Sequence, residues 1–205
     1  MNTEILPQNI TSRSQTARRL IRGCLLALAV ATLATPAQAG FHLWSIREVY
    51  TDVSGSLQFI ELVDSFGGQP LVGGKSISVA NVGNTQTHTF NIPAGNLAGS
   101  TLNHALLFGT AGLQAAGGPA PDYIIPSNFL FPAGGTITFF GQNSGPYSAL
   151  PTDGTLSRTW TGGNSANSPE NYAGQTGSVT VPEPATLALL GVGFGLLLRL
   201  RRQQD

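Results

Sequence analysis

Short apolar runs separated by turn residues recur through the central part of the chain. None keeps apolar residues at helical spacing for three turns, and the runs are rich in β-branched and aromatic residues. The pattern predicts six strands, at 43–50, 57–63, 76–80, 87–92, 105–108 and 136–140, and a seventh around 158–160. The remainder of 141–177 is rich in Asn, Ser, Gly and Pro and is predicted to be irregular.

Turn sequences lie between the predicted strands. Glycine-containing stretches at 53–56, 67–70, 81–84 and 132–135 each fit a turn, and 112–121 fits a long loop. Many short strands without crossover helices are typical of two packed antiparallel sheets. We therefore predict an all-β fold, an antiparallel β-sandwich, for this part of the chain.

The first 39 residues have the pattern of a secretory signal peptide. A basic segment that ends at Arg22 precedes an uncharged apolar run, Cys24 to Leu33, which we expect to be helical. Ala37 and Ala39 form the small-x-small site of signal peptidase, so the mature chain is expected to begin at Gly40. The run falls short of the ~20 residues of a membrane span. The pattern thus implies export through the Sec translocon.

The end of the chain falls into three parts. The motif Val181-Pro182-Glu183-Pro184-Ala185 is followed by an apolar run over 185–198 and then by a basic end over 199–202, with Arg199, Arg201 and Arg202. A helix over the apolar run would be about 21 Å long, whereas the hydrocarbon core is ~30 Å thick. We therefore predict a short hydrophobic helix that spans a membrane only marginally, with its basic end in the cytoplasm.

Charge and cysteine content exclude several function classes. Ten Lys and Arg balance ten Asp and Glu over the whole chain, but only three basic residues accompany seven acidic ones between Gly40 and Val181. Without a clustered basic surface, we expect no nucleic-acid binding. The single cysteine, Cys24, lies in the predicted signal peptide, which excludes a disulfide framework and a multi-cysteine zinc site. No cofactor is expected.

The three-part tail resembles the PEP-CTERM sorting signal of Gram-negative bacteria. The resemblance covers the last 25 residues and implies an exosortase, a membrane-embedded transpeptidase-like enzyme that processes the tail near Pro182-Glu183-Pro184. The family occurs with exopolysaccharide and biofilm loci. It therefore implies a protein held transiently in the inner membrane and then located at the cell surface or in the extracellular matrix. The alternative is a simple C-terminal membrane anchor that is never cut.

The first half of the central part resembles a lamin-tail-type domain of secreted bacterial proteins. The resemblance rests on Ile46-Arg47-Glu48-Val49-Tyr50, Gln58-Phe59-Ile60-Glu61-Leu62, Gly73-Gly74 and Phe90-Asn91-Ile92-Pro93-Ala94-Gly95, with Arg47 where the family usually has Asn. It implies an immunoglobulin-like β-sandwich used for binding or display, without catalysis. We thus expect a signal peptide over 1–39, a lamin-tail-like domain over 40–177 with an irregular C-terminal part, and a sorting signal over 178–205.

Two acidic residues stand among apolar residues in the predicted strands. Strict alternation places Glu48 on the face of Ile46 and Tyr50, and Glu61 on the face of Phe59. Two carboxylates on paired strands can act as a glycosidase pair. The alternatives are that the other face of the strands forms the core, or that each acid binds a backbone amide or an arginine.

The same acids are candidate calcium ligands. Glu48 and Glu61, together with Asp52 and Asp64, would supply the oxygen ligands that calcium prefers in extracellular β proteins. No EF-hand loop is present, and the three histidines lack the spacing of a helical zinc motif. The sequence therefore identifies these four residues as candidates only, and predicts no metal site.

Two aromatic residues are candidates for ligand contact. Trp160 and Tyr172 flank a polar segment, and aromatic rings on a rigid β scaffold can stack on sugars; burial of Trp160 in the core is the alternative. We find no complete acid, base or nucleophile constellation. The sequence therefore predicts a non-catalytic structural or adhesive protein, and the alternative is a secreted carbohydrate-active hydrolase that uses Glu48 and Glu61.

Overall fold

The computed structural model describes residues 43–141 and 143–181. The predicted signal peptide, with Ala37, Ala39 and Gly40, lies outside these residues. The same holds for the motif residues after Val181, the helix expected over 185–198 and the basic end over 199–202. The described residues contain strands but no α-helix, and accordingly no helix long and apolar enough to cross a membrane.

Ten β-strands follow one another in the described part of the chain. They are β1 (Trp44–Thr51), β2 (Gln58–Asp64), β3 (Ser76–Asn81), β4 (Thr87–Asn91), β5 (His104–Gly109), β6 (Tyr123–Ile124), β7 (Gly135–Phe139), β8 (Asn143–Tyr147), β9 (Leu156–Thr159) and β10 (Asn164–Ala166). The six strands predicted before residue 141 are all present, with ends that differ by at most one residue from the sequence pattern.

The strands form two sheets. One has six strands in the order β10-β9-β1-β2-β5-β6, and the other has four in the order β4-β3-β7-β8. The all-β prediction is therefore confirmed. The prediction of purely antiparallel pairing is wrong at one edge of the larger sheet, because β6 pairs with β5 in parallel. A loop over 110–122 brings the chain back alongside Leu107 and Phe108, from where β6 runs in the same direction as β5.

The main core lies between the two sheets. Ile60 and Leu62 of β2 face Ile77 and Val79 of β3 within one cluster of buried apolar side chains. A second, smaller cluster covers the opposite face of the six-stranded sheet and contains Tyr50, Phe59, Leu107, Leu113 and Val179. Both faces of this sheet are therefore buried, the second one by loops instead of strands.

The region predicted to be irregular carries three strands, not one. Besides β9 near the expected position, β8 and β10 form within 141–177. The sequence pattern missed β8 because it contains Gly145 and Pro146, and it missed β10 because that strand is polar and exposed. Pairing with β7 and β9 supplies the hydrogen bonds that stabilise these weak segments.

Candidate functional site

A β-bulge at Arg47 decides which face of β1 carries Glu48. In the register of β1 against β2, Ile46 pairs with Leu62 and Glu48 pairs with Glu61, so Arg47 is the extra residue. The prediction that Glu48 shares a face with Ile46 is wrong. One inserted residue shifts the alternation, and Glu48 lies on the opposite face.

The face that carries both acids is the outer face of the six-stranded sheet. Tyr50 and Phe59 lie on it with their rings stacked 5.2 Å apart, as alternation from Glu48 and Glu61 predicted. Glu48 is 3% exposed and Glu61 is fully buried. The bulge has therefore placed two carboxylates opposite each other on paired strands, beneath a covering segment.

Residues 167–181, here called the strap, form this covering segment. The backbone N–H of Ser168 donates to Glu48 Oε1 at 3.0 Å, and the hydroxyl of Ser157 on β9 donates to the same oxygen. The backbone N–H of Glu170 donates to Glu61 Oε1 at 2.8 Å. Each acid therefore binds a backbone amide, which is the alternative that the sequence left open.

The third contact of this kind involves an acid that the sequence did not single out. Asp122 lies beside β5, and its Oδ2 accepts from the backbone N–H of Leu107 at 2.8 Å and of Tyr172 at 2.9 Å. Alternate strap residues, Ser168, Glu170 and Tyr172, thus donate to carboxylates associated with three neighbouring strands. In an extended segment, alternate N–H groups point the same way, so the three contacts hold the strap across the sheet.

Arg47 joins the two layers at the surface. Its guanidinium pairs with Glu61 of the sheet and, at 2.7 Å, with Glu170 of the strap. Glu61 Oε2 is buried and has no hydrogen-bond partner among the described residues. Burial alone lowers the pKa of Arg47, but its hydrogen bonds to Glu61 and Glu170 outweigh that effect and raise it. Arg47 therefore remains a cation that balances the two acids.

Burial changes the titration of two of the three acids. It raises the pKa of Glu61, and the nearby charge of Glu48 adds to the rise, while Arg47 and the Glu170 amide oppose it. Burial also raises the pKa of Asp122, against the two amides that bind it. Both acids bind protons more readily in the folded chain than in the unfolded one.

A hydrolytic pair needs carboxylates that reach a substrate on both sides of the scissile bond. Here the strap covers Glu48 and Glu61, and three of their four carboxylate oxygens accept hydrogen bonds from amides, hydroxyls or Arg47. The arrangement is suited to holding a polar loop over an apolar sheet, because buried carboxylates are stable only when they accept hydrogen bonds.

The four calcium candidates do not converge on one point. Asp52 binds Ser54, Ser56 and the backbone N–H of Leu57 in the turn before β2, whereas Asp64 binds Thr101 and two backbone amides after β2. These sites lie at opposite ends of the strand. Within residues 43–141 and 143–181, no three His, Cys, Asp or Glu side chains cluster in a way that suits a metal ion.

The two candidate aromatic residues lie in different surroundings. Trp160 is 42% exposed, and its ring packs against the backbone at Gly145 of β8. The hydroxyl of Tyr172 donates to the carbonyl of Ala98 at 2.9 Å, and its ring lies 4.9 Å from that of His104. Trp160 is thus partly exposed, while Tyr172 fastens the strap to a loop.

The strap ends in a tightly bound segment. Val179 is fully buried in the second cluster, and the side chain of Asn167 binds both its N–H and its carbonyl. The N–H of Thr180 then donates to the carbonyl of Ala116 at 3.1 Å, and the N–H of Val181 donates to the carbonyl of Gly154 at 3.3 Å. The packed chain therefore continues to Val181, past the boundary expected at 177.

An open groove of about 580 Å³ adjoins this last segment. It is lined by Leu57, Gly112, the turn over 115–117, and the strap residues Thr180 and Val181. All of these side chains are uncharged, and most are small or apolar. The groove is thus adjacent to Val181, the last residue that the structure describes.

Sequence reasoning did not identify the strap or three residues that fasten it, Ser168, Asn167 and Asp122. Their partners lie far away in the chain, and no local periodicity reports such contacts. The local hint is Pro169, which disfavours a helical conformation at the residue before it and so keeps Ser168 extended.

Comparison with known proteins gives one match. Residues 180–202 match the PEP-CTERM protein-sorting motif. No curated protein and no solved structure matches the chain. The resemblance of the tail is thereby confirmed, and it supports an exported protein that an exosortase sorts to the cell envelope or surface. The match begins at Thr180, within the strap.

Proposed function

We propose that this protein is exported, processed at both ends and displayed at the cell surface or in the extracellular matrix as a non-catalytic structural or adhesive β-sandwich. The observation that carries the proposal is the junction at Thr180 and Val181. There the sorting motif begins at residues that are hydrogen-bonded to a two-sheet fold. A sorting signal joined directly to a packed unit makes that unit the cargo.

The route follows from the two ends of the chain. The signal peptide directs the chain to the Sec translocon, and signal peptidase cuts after Ala39. The apolar run over 185–198 then holds the protein in the inner membrane of a Gram-negative cell. An exosortase removes the tail near Pro182-Glu183-Pro184 and releases the sandwich to the envelope or matrix.

The sandwich is of the immunoglobulin-like, lamin-tail type in this proposal. The stretches that carry the resemblance coincide with β1 and β2, which pair as neighbours, and with the end of β4. Two sheets packed on a common core support the same assignment. Domains of this architecture present loops and edges for binding, which suits a surface protein.

The absence of catalysis is part of the proposal. Support comes from Glu48 and Glu61, whose carboxylates bind strap amides and are shielded from solvent. A catalytic acid or base must come within hydrogen-bond reach of the group it protonates or deprotonates. Trp160 is 42% exposed, which supports contact with an exopolysaccharide matrix, because exposed aromatic rings can stack on sugars.

Replacement of Pro182, Glu183 and Pro184 by alanine tests the proposal in a host that has the matching exosortase. We expect the wild-type chain to lose its tail and leave the membrane, and the variant to remain uncut and membrane-bound. The substitution leaves the apolar run over 185–198 intact, so a simple anchor behaves identically in both forms. Alanine at Gln203, Gln204 and Asp205, beyond the basic end, is the matched control.

The readouts are the intact mass of the protein and its membrane fraction. Retention of the tail and an equal membrane fraction in both the wild type and the motif variant contradict the proposal. They identify a permanently anchored surface protein instead.

A further inference from the structure

We propose that the groove beside Val181 is a contact surface for the exosortase, which recognises the folded sandwich together with the sorting motif. This inference rests on the proposed function and adds a second element of recognition to it. The partner surface it requires is uncharged and rich in small or apolar groups.

The chain is held firmly by the fold up to the start of the motif. Asn167 Oδ1 accepts from Val179 N–H at 2.6 Å, and its Nδ2 donates to the Val179 carbonyl at 2.8 Å. Val179 is fully buried, and the next two residues also donate backbone hydrogen bonds to the fold. The chain therefore enters the motif from a position set by the domain.

The motif lies only a short distance from the groove. Pro182, Glu183 and Pro184 follow Val181 directly, and three residues span at most about 11 Å even when fully extended. Val181 is itself part of the groove lining. An enzyme that holds the motif in its active-site cleft therefore lies within about that distance of the groove, so the two surfaces adjoin without any rearrangement of the sandwich.

The lining of the groove is uncharged. Ala115 and Gly117 are exposed, Leu57 is half-buried, and the lining contains no charged side chain. Closing this surface against a partner removes apolar area from water and leaves no charge to desolvate. The small side chains also let a partner backbone approach closely, which a surface of lysines and glutamates does not allow.

The test compares processing rates of the full chain in the exosortase host, followed by pulse–chase and intact mass. Ala115→Arg places a charge in the groove, and Ala94→Arg places one on an exposed turn after β4 as the matched control. We expect the tail of the Ala115→Arg variant to be removed roughly ten-fold more slowly, because an unpaired charge buried in a contact opposes association. The control is expected to be processed at the wild-type rate.

A spacer completes the experiment. Ten Gly and Ser residues, followed by a second Thr-Val pair, are inserted between Val181 and Pro182. The original Thr180 and Val181 stay in the groove lining, and the complete motif follows at a distance from it. Ala115→Arg and the unsubstituted chain are then expected to be processed equally. The spacer is not expected to accelerate the unsubstituted chain.

Two outcomes overturn the inference: processing of Ala115→Arg at the wild-type rate, or faster processing once the spacer is present, which marks the sandwich as an obstacle. Removal of the signal peptide and resistance of the sandwich to protease verify that each variant is exported and folded. The alanine variant of the motif separates the two hypotheses. If that variant is still cut, the proposed function fails; if it is uncut while Ala115→Arg is normal, the groove contact alone fails.

Discussion

Asn167 binds the backbone of Val179 at both of its polar groups. Its side-chain oxygen accepts from the Val179 N–H at 2.6 Å, and its amide nitrogen donates to the Val179 carbonyl at 2.8 Å. Twelve positions separate the two residues, and the strap between them crosses the outer face of the larger sheet. One asparagine thus closes the strap and fixes the last packed segment before the sorting motif.

Loss of this side chain is expected to destabilise the sandwich. Asn167→Ala leaves both backbone groups of buried Val179 without their partner, and a carbonyl at Thr155 loses a further bond. We expect the free energy of unfolding to fall by about 2–4 kcal/mol. Thermal melting of the full chain in mild detergent measures the change. Asn96→Ala, at an exposed position, is the control, and equal melting temperatures for the two variants contradict the role of Asn167.

The paired acids are expected to matter for folding and not for hydrolysis. Glu48→Gln combined with Glu61→Gln keeps the shape of both side chains and an oxygen for the Ser168 and Glu170 amides. We expect no change in activity against a panel of polysaccharides, because both carboxylates are buried beneath the strap. Reducing-end release is the assay, with circular dichroism to verify folding. Hydrolysis by the wild type that the folded double variant lacks would establish the enzyme alternative.

Stability is expected to decrease as the pH rises from about 4 towards neutrality. The folded pKa values of Glu61 and Asp122 are raised by burial, so the native state binds more protons than the unfolded state in this window. Unfolding then becomes easier with rising pH. The melting temperature measured at a series of pH values follows this trend.

Glu61→Gln mimics the protonated acid and is expected to flatten that pH dependence. Asp153 provides the matched control, because hydrogen bonds from the Thr155 and Leu156 amides lower its pKa. The stability that ionised Asp153 contributes is present above the unfolded pKa of about 4 and is lost only at lower pH. Asp153→Asn should therefore leave the change of melting temperature with pH near neutrality unaltered. If Glu61→Gln also leaves it unaltered, Glu61 is not the source of the pH dependence.

Export is expected to produce a mature chain that begins at Gly40. Bulky residues at the cleavage site, Ala37→Leu with Ala39→Leu, should block signal peptidase because its site accepts small side chains. The variant is then retained as a precursor with a larger mass. Ala31→Leu, within the apolar run, is the control. Edman sequencing that places the mature N-terminus upstream of Leu33 contradicts the expected site.

Local sequence patterns were enough to predict seven of the ten described strands and the nature of the tail. Alternation in segments such as 76–80, and turn glycines such as Gly134 in 132–135, act between residues close together in the chain. The motif at Pro182-Glu183-Pro184, with its apolar run and basic end, is contiguous as well. Features encoded over a few neighbouring residues can be recognised before any fold is known.

The roles of the two acids depend on contacts that form only in the folded chain. The bulge at Arg47 depends on how β1 pairs with β2, and one extra residue was enough to move Glu48 to the other face. The strap contacts join Glu48 to Ser168 and Glu61 to Glu170, across 120 and 109 positions. Burial, hydrogen bonding and pKa at these carboxylates arise from segments brought together by folding, so no local pattern in the sequence records them.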